Sequence, residues 1–91
     1  MTFSVHVDVQ LRPGIADPQG STIERSLPTL GFDGISGVRV GKSIRFLIDA
    51  PDEASARQEV EDLCRRFLTN PVIEDAQIEL TELAELSDSP V

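Results

Sequence analysis

Tryptophan and tyrosine are absent from this 91-residue chain, and cysteine, histidine and methionine occur once each. Cys64 alone cannot close an internal disulfide, and with His6 as the single imidazole no Cys/His zinc cluster can be assembled. Disulfide scaffolds and zinc modules are therefore excluded. Basic residues are scarce as well: 8 Lys and Arg stand against 16 Asp and Glu, a net charge of −8. Binding to a phosphate backbone rests on a basic surface that releases counterions, so nucleic acid is not an expected partner. Long apolar runs are missing too. None approaches the ~20 residues a bilayer-spanning helix needs, so no membrane segment is expected. Met1–His6 shows neither a basic leader nor an apolar block, and the expected compartment is the cytoplasm.

The remaining composition, 40% hydrophobic and 26% charged, is that of one globular domain. We expect that domain over residues 1–81, with a solvated acidic tail over 82–91. A chain this short buries only about 60 to 65% of its surface on folding, which makes association with other chains an expectation from size alone.

Apolar and polar residues alternate strictly from Phe3 to Arg12, the mark of a half-buried strand. Pro13-Gly14 ends it. Asp17-Pro18 pairs an N-cap residue with proline at the first helical position, and Ile23, Leu27 and Leu30 form an apolar stripe on a helix that Gly31 stops, with Pro28 kinking or shortening its last turn. Ile35–Val40 reads as a second strand with a possible bulge at Gly37. Gly41-Lys42 reads as a turn, and Ser43–Asp49 as a third strand with Ile44, Phe46 and Ile48 inward, completing a hairpin. A second helix begins near Pro51-Asp52-Glu53, carries Ala56, Val60, Leu63, Cys64 and Phe67 as its core stripe, and closes at Asn70-Pro71. Ala76, Ile78 and Leu80 alternate in a fourth strand.

This β-α-β-β-α-β order predicts an α+β, ferredoxin-like fold: a four-stranded antiparallel sheet with two helices on one face. Right-handed crossovers would put strands one and three in the middle. The other face would stay open, carrying His6, Asp8, Arg12, Arg39, Arg45, Leu47 and Gln77 by parity. An open face and two free edges in a small domain point to protein contact.

The short motifs carry little chemistry. Gly41-Lys42-Ser43 resembles the end of a phosphate-binding loop, but Ser36 stands where its upstream glycine belongs and a strand follows where a helix should. His6 and Asp8 share a strand face without a nucleophile or pocket. Cys64 sits on an apolar stripe as a core filler. Arg12, Arg39, Lys42 and Arg45 hold half the basic residues, either as balancing charge or as a docking patch for an acidic surface.

Four segments together carry a family resemblance: Leu11-Arg12-Pro13-Gly14-Ile15-Ala16-Asp17-Pro18-Gln19-Gly20, Leu30-Gly31-Phe32-Asp33-Gly34, Val38-Arg39-Val40-Gly41-Lys42 and Asn70-Pro71-Val72-Ile73-Glu74. In this order and spacing the chain resembles the PurS family, small subunits of phosphoribosylformylglycinamidine synthase, from about Phe3 to Leu80. The resemblance implies a non-catalytic assembly subunit of a purine-biosynthetic ligase. It would join a glutaminase (PurQ-like) subunit, which releases ammonia, to a large synthetase (PurL-like) subunit, which binds ATP and magnesium. It also implies a homodimer or tetramer, no cofactor in this chain, and no catalytic residues of its own. The candidate contact residues that follow are Arg12, Pro13, Gly14, Asp17, Pro18, Gln19, Gly20, Arg39, Gly41, Lys42 and Arg45. Departures from the family pattern are Pro28, Ala76 where an aromatic is expected, and the acidic tail. Two rival readings remain: a ligand-sensing dimeric module of the same topology, and a small enzyme using His6 and Asp8.

Overall fold

The computed structural model describes residues 1–83. The alternating first segment forms β1 (Thr2–Leu11), with Phe3, Val5, Val7 and Val9 fully buried on one face. β1 is the centre of a three-stranded antiparallel sheet, flanked by β2 (Gly41–Asp49) and β3 (Glu74–Glu82). The register lays Val5 between Phe46 and Leu80, and Val7 between Ile44 and Ile78, so each strand contributes its apolar parity to one face. The expected acidic tail lies outside the described residues from position 84 onward; Glu82 is the last residue of β3, and the Leu83 N–H donates to the Thr2 carbonyl.

The four-stranded ferredoxin-like sheet expected from the sequence is not formed. Residues 35–40 make no strand, and Gly41-Lys42, expected as a hairpin turn, begin β2. Two causes are visible. Gly34 and Gly37 adopt left-handed backbone, φ +83° and +70°, which interrupts an extended run. The amides that a ladder would use go to carboxylates instead: the Val38 N–H donates to Glu24 Oε1 at 3.0 Å and the Val40 N–H to Asp17 Oδ2 at 2.8 Å. With that strand gone, β2 is an edge, and β1 alone is central.

The helices differ from expectation in a related way. α1 (Pro18–Ser26) is capped by Asp17, whose Oδ1 accepts from the Gly20 N–H at 2.8 Å. It ends early, as Pro28 requires, in a 3-10 turn (Pro28–Leu30) closed by Gly31 at φ +95°. α1 does not cover the sheet; its main packing partner is that 3-10 turn. Ile23, Leu30, Phe32 and Ile35 are consequently exposed. Residues 15–40 form an arm projecting from the sheet, and the radius of gyration is 17.1 Å against about 12 Å for a compact chain of this length.

α2 (Glu53–Leu63), capped by Asp52 through the Ser55 N–H at 2.7 Å, is the helix that packs on the sheet. Ala56, Val60 and Cys64 complete the core with the β1 side chains, and Ile44, Phe46, Ile48, Ile78 and Leu80 pack around it half-buried. The expected core stripe continued through Leu63 and Phe67, but both are exposed, Phe67 at 80%. For Phe67 the reason is a π-helical turn (Cys64–Leu68), in which the Cys64 carbonyl accepts from both Thr69 N–H and Oγ1 at 2.9 Å. A wider turn advances fewer degrees per residue. It brings Leu68 under the core and swings Phe67 outward.

Candidate functional site

Most of the candidate contact residues lie at the root of the arm. Asp17 accepts two backbone N–H groups, from Gly20 and Val40, and thereby ties the start of α1 to the returning chain. These two hydrogen bonds, helped by Arg39 with its Nε 4.0 Å from Oδ2, hold the Asp17 carboxyl below its usual value despite the opposing effect of burial. Glu24 makes the second tie through Val38. Gly20 is required because the chain passes so close: a Cβ there would strike the Val38 carbonyl oxygen and approach Asp17 Oδ2 to 2.9 Å. Gly41 is confined similarly, with a Cβ 2.6 Å from the Val9 carbonyl oxygen.

The basic residues mostly fasten loops. Arg39 donates to the carbonyls of Ile15 (3.3 Å) and Arg12 (3.4 Å). Arg12 donates through Nη2 to the Pro71 carbonyl (2.6 Å) and through Nε to that of Glu74 (3.4 Å), with Asp75 at 3.3 Å. Lys42 Nζ lies 3.4 Å from the Leu68 carbonyl and 4.0 Å from Glu74. Arg12 and Arg39, expected on the open sheet face, lie beyond the strand ends. Arg45 does lie on that face, opposite His6, well away from the arm root.

Pro13 and Gly14 form the exposed turn leaving β1, and Pro18 and Gln19 lie on the first turn of α1. Leu11, Ala16, Pro18, Gln19, Val40 and Ile73 line an open groove of about 750 Å³ between this root and the end of the sheet. Thus three of the four family-like segments meet at one place. Glu24, Pro71 and Leu68 also build it and were not among the candidate contact residues. Glu24 looks like any helix-surface acid, and the other two act through backbone carbonyls that a side-chain pattern does not display.

On the open face, His6 does not pair with Asp8. Its Nε2 is 2.7 Å from Ser43 Oγ, and its Nδ1 3.5 Å from Glu79 Oε1, while Asp8 accepts from Gln10. The order serine, imidazole, carboxylate is that of an activated nucleophile. Here, however, the Glu79 side chain is 79% exposed and sits beyond ordinary hydrogen-bond length from the ring. It does not fix the imidazole, and the trio is a cross-strand polar contact on a flat surface. Among the described residues no group of three or more His, Cys, Asp or Glu side chains is placed to hold a metal, and no helix is long and apolar enough to cross a membrane.

An arm tied by carboxylates and a sheet half-covered by one helix define a small α+β domain that leaves apolar side chains exposed on the arm and half-buried on the sheet. Comparison with known proteins gives the particular family. The profile described as "PurS: Phosphoribosylformylglycinamidine (FGAM) synthase" matches residues 4–82. The phosphoribosylformylglycinamidine synthase subunit PurS of Synechocystis sp. is 44% identical over 85 residues, 91% of this chain and 85% of its own. The crystal structure of PurS from Methanocaldococcus jannaschii, one of the subunits of formylglycinamide ribonucleotide amidotransferase in the purine biosynthetic pathway, superposes with a TM-score of 0.79 at 34% identity, covering 90% of this chain and 99% of the other. A chain in the PurLQS structure from Thermotoga maritima gives 0.80 at 33% identity, covering 89% and 99%. The chain belongs to the PurS family. These relatives do not favour the ligand-sensing alternative.

Proposed function

We propose that this chain is a non-catalytic subunit of phosphoribosylformylglycinamidine synthase. It holds the glutaminase (PurQ-like) and ATP-dependent synthetase (PurL-like) subunits so that ammonia passes from one to the other in the cytoplasm. The observation that carries this reading is the family match over residues 4–82, supported by the similarity of the fold to a chain of a PurLQS assembly. Free ammonia is diluted and protonated in water, and tethering the two active sites raises its effective concentration at the second. ATP and magnesium belong to the synthetase subunit in this reading, with no cofactor in this chain.

Self-association into a dimer or tetramer is part of the proposal. The arm exposes Ile23, Leu30, Phe32 and Ile35, while α2 leaves the β2 side of the sheet with Ile44, Phe46 and Ile48 half-buried. The Asp17 and Glu24 ties hold these two apolar surfaces apart within one chain. A second copy can cover both reciprocally.

The test is ATP hydrolysis by the synthetase and glutaminase subunits with formylglycinamide ribonucleotide, with and without this chain, driven by glutamine or by ammonia. Glutamine-driven turnover should require the chain and ammonia-driven turnover should depend on it much less. Equal rates in all four arms would overturn the assignment.

A further inference from the structure

Residues 15–40 have a second place to go, on their own sheet. Residues 35–40 stand immediately before β2 in the chain and carry Ile35, Val38 and Val40, residue types that favour a strand. Among the described residues β2 pairs with β1 alone, so its outer edge is free to take a strand. On the core face of the sheet Ile44, Phe46 and Ile48 are half-buried, while the arm exposes Ile23, Leu30, Phe32 and Ile35. A right-handed crossover that laid α1 over β2 and residues 35–40 along its outer edge would cover both sets within one chain. The outward arm covered by a second copy and this inward seat would therefore bury much the same apolar side chains.

What separates the two seats is a small set of polar and backbone features. The Val38 N–H on Glu24 Oε1 (3.0 Å) and the Val40 N–H on Asp17 Oδ2 (2.8 Å) fasten residues 38–40 to α1 and its cap. Both are hydrogen bonds to carboxylates, the stronger kind. Arg39 adds its bonds to the carbonyls of Ile15 and Arg12. Gly37, at φ +70°, turns the chain out of an extended path, and a Cβ there would meet nothing within 4 Å, so the backbone conformation alone calls for glycine. None of these residues belongs to the core built by the three strands and α2, so the arm can be refastened without unfolding the sheet.

We infer that the Asp17 and Glu24 carboxylates, with the left-handed bend at Gly37, form a latch: fastened, it holds residues 15–40 outward for a second copy to cover; released, the same residues close on their own β2 edge and the chain becomes a compact monomer. This rests on the self-association proposed above and names what sets it. Two packings of one sequence that differ in few contacts are the condition under which an element is exchanged between protomers. The strand-like composition of residues 35–40 then belongs to the released state.

The experiment measures solution mass and radius of gyration for the full chain at one fixed protomer concentration, wild type against two variants that release the latch by different routes. In Asp17→Asn/Glu24→Ala, the asparagine oxygen still caps α1 through the Gly20 N–H, but its Nδ2 is a donor and cannot accept from Val40, and the alanine removes the Val38 tie. In Gly37→Val, the ties stay and a β-branched residue is placed at φ +70°, which opposes the bend and favours a strand. Both variants should fall from the wild-type mass to that of one chain, with a radius near the about 12 Å of a compact chain and not the 17.1 Å of the outward arm. Hydrogen exchange along the outer edge of β2 should slow in both. Gly31→Ala introduces similar strain, at φ +95°, in the cap of the 3-10 turn, which both seats retain, and should keep the wild-type mass. Wild-type mass in either latch variant overturns the inference and leaves self-association standing. A monomeric latch variant that stays extended overturns it because the inward seat does not exist, and a monomeric Gly31→Ala overturns it because any strain in the arm then suffices. A wild-type chain that is itself monomeric overturns the self-association and this inference together.

Discussion

Gly20→Ala is a sharp test of how the arm is held. The added Cβ would strike the Val38 carbonyl oxygen and lie 2.9 Å from Asp17 Oδ2 and 3.0 Å from its Cγ. Both neighbours are parts of the clamp: Asp17 accepts from the Gly20 and Val40 amides, and Val38 donates to Glu24. Relief requires α1 to move from the 38–40 segment, which lengthens those bonds. Overpacking of this kind costs ~1–3 kcal/mol. In a domain of this size each kcal/mol lowers Tm by about 4–8 °C, so a decrease of roughly 4 °C or more is expected. The measurement is thermal unfolding followed by circular dichroism at one fixed protomer concentration, since self-association would otherwise move Tm by mass action. Ser21→Ala, at an exposed helical position, is the control and should melt with wild type. A Gly20→Ala protein that melts within a degree of the control would show that the arm root is plastic, and the clamp argument would be wrong.

Three further outcomes are expected. Val60→Ala, which removes two methyl groups from a fully buried position under the sheet, should cost about 2–3 kcal/mol by denaturant titration. Hydrogen bonds from Gly20, Val40 and Ser55 lower the Asp17 and Asp52 carboxyl pKa values when folded. Their stabilisation is therefore complete above the ordinary aspartate value near pH ~4 and is lost as the pH falls through the depressed folded values; Asp17→Asn with Asp52→Asn should flatten acid unfolding below about pH 4. Burial, reinforced by the charge of Glu61, pushes the Cys64 thiol up, so a disulfide reagent should label the native protein slowly and the unfolded protein at once.

The sequence made the strands legible where alternation was strict and glycine was absent. Phe3–Arg12 alternates without interruption and Ser43–Asp49 with Leu47 as its one outward apolar exception, and both fold as expected within two residues. Residues 35–40 carry Val38 and Val40 at strand spacing, yet Gly37 and the carboxylates of Asp17 and Glu24 draw them out of the sheet. That competition lies 14 to 23 residues away in sequence, beyond the reach of a local pattern. Phe67 misled for a related reason. Its spacing from Val60 and Cys64 fits an α-helical stripe, and nothing before Thr69 announces that the last turn widens. The arm-root residues were grouped by the family resemblance, and turn and cap chemistry alone marks only Pro13, Gly14, Asp17 and Pro18 among them; the partners of Arg12 and Arg39 are backbone carbonyls that no side-chain pattern shows.

The missing strand decides more than the sheet's width. In a compact two-helix arrangement α1 would lie on the β2 side of the sheet, a fourth strand would close the β2 edge, and the chain would have little apolar surface left to offer. Here the same twenty-six residues, 15–40, are held outward by two carboxylate ties, and that displacement leaves both the arm and the β2 half of the sheet incomplete. In the proposed assembly, a small domain stabilised by one helix on three strands would gain the rest of its burial from other chains, which would couple its folding to its assembly.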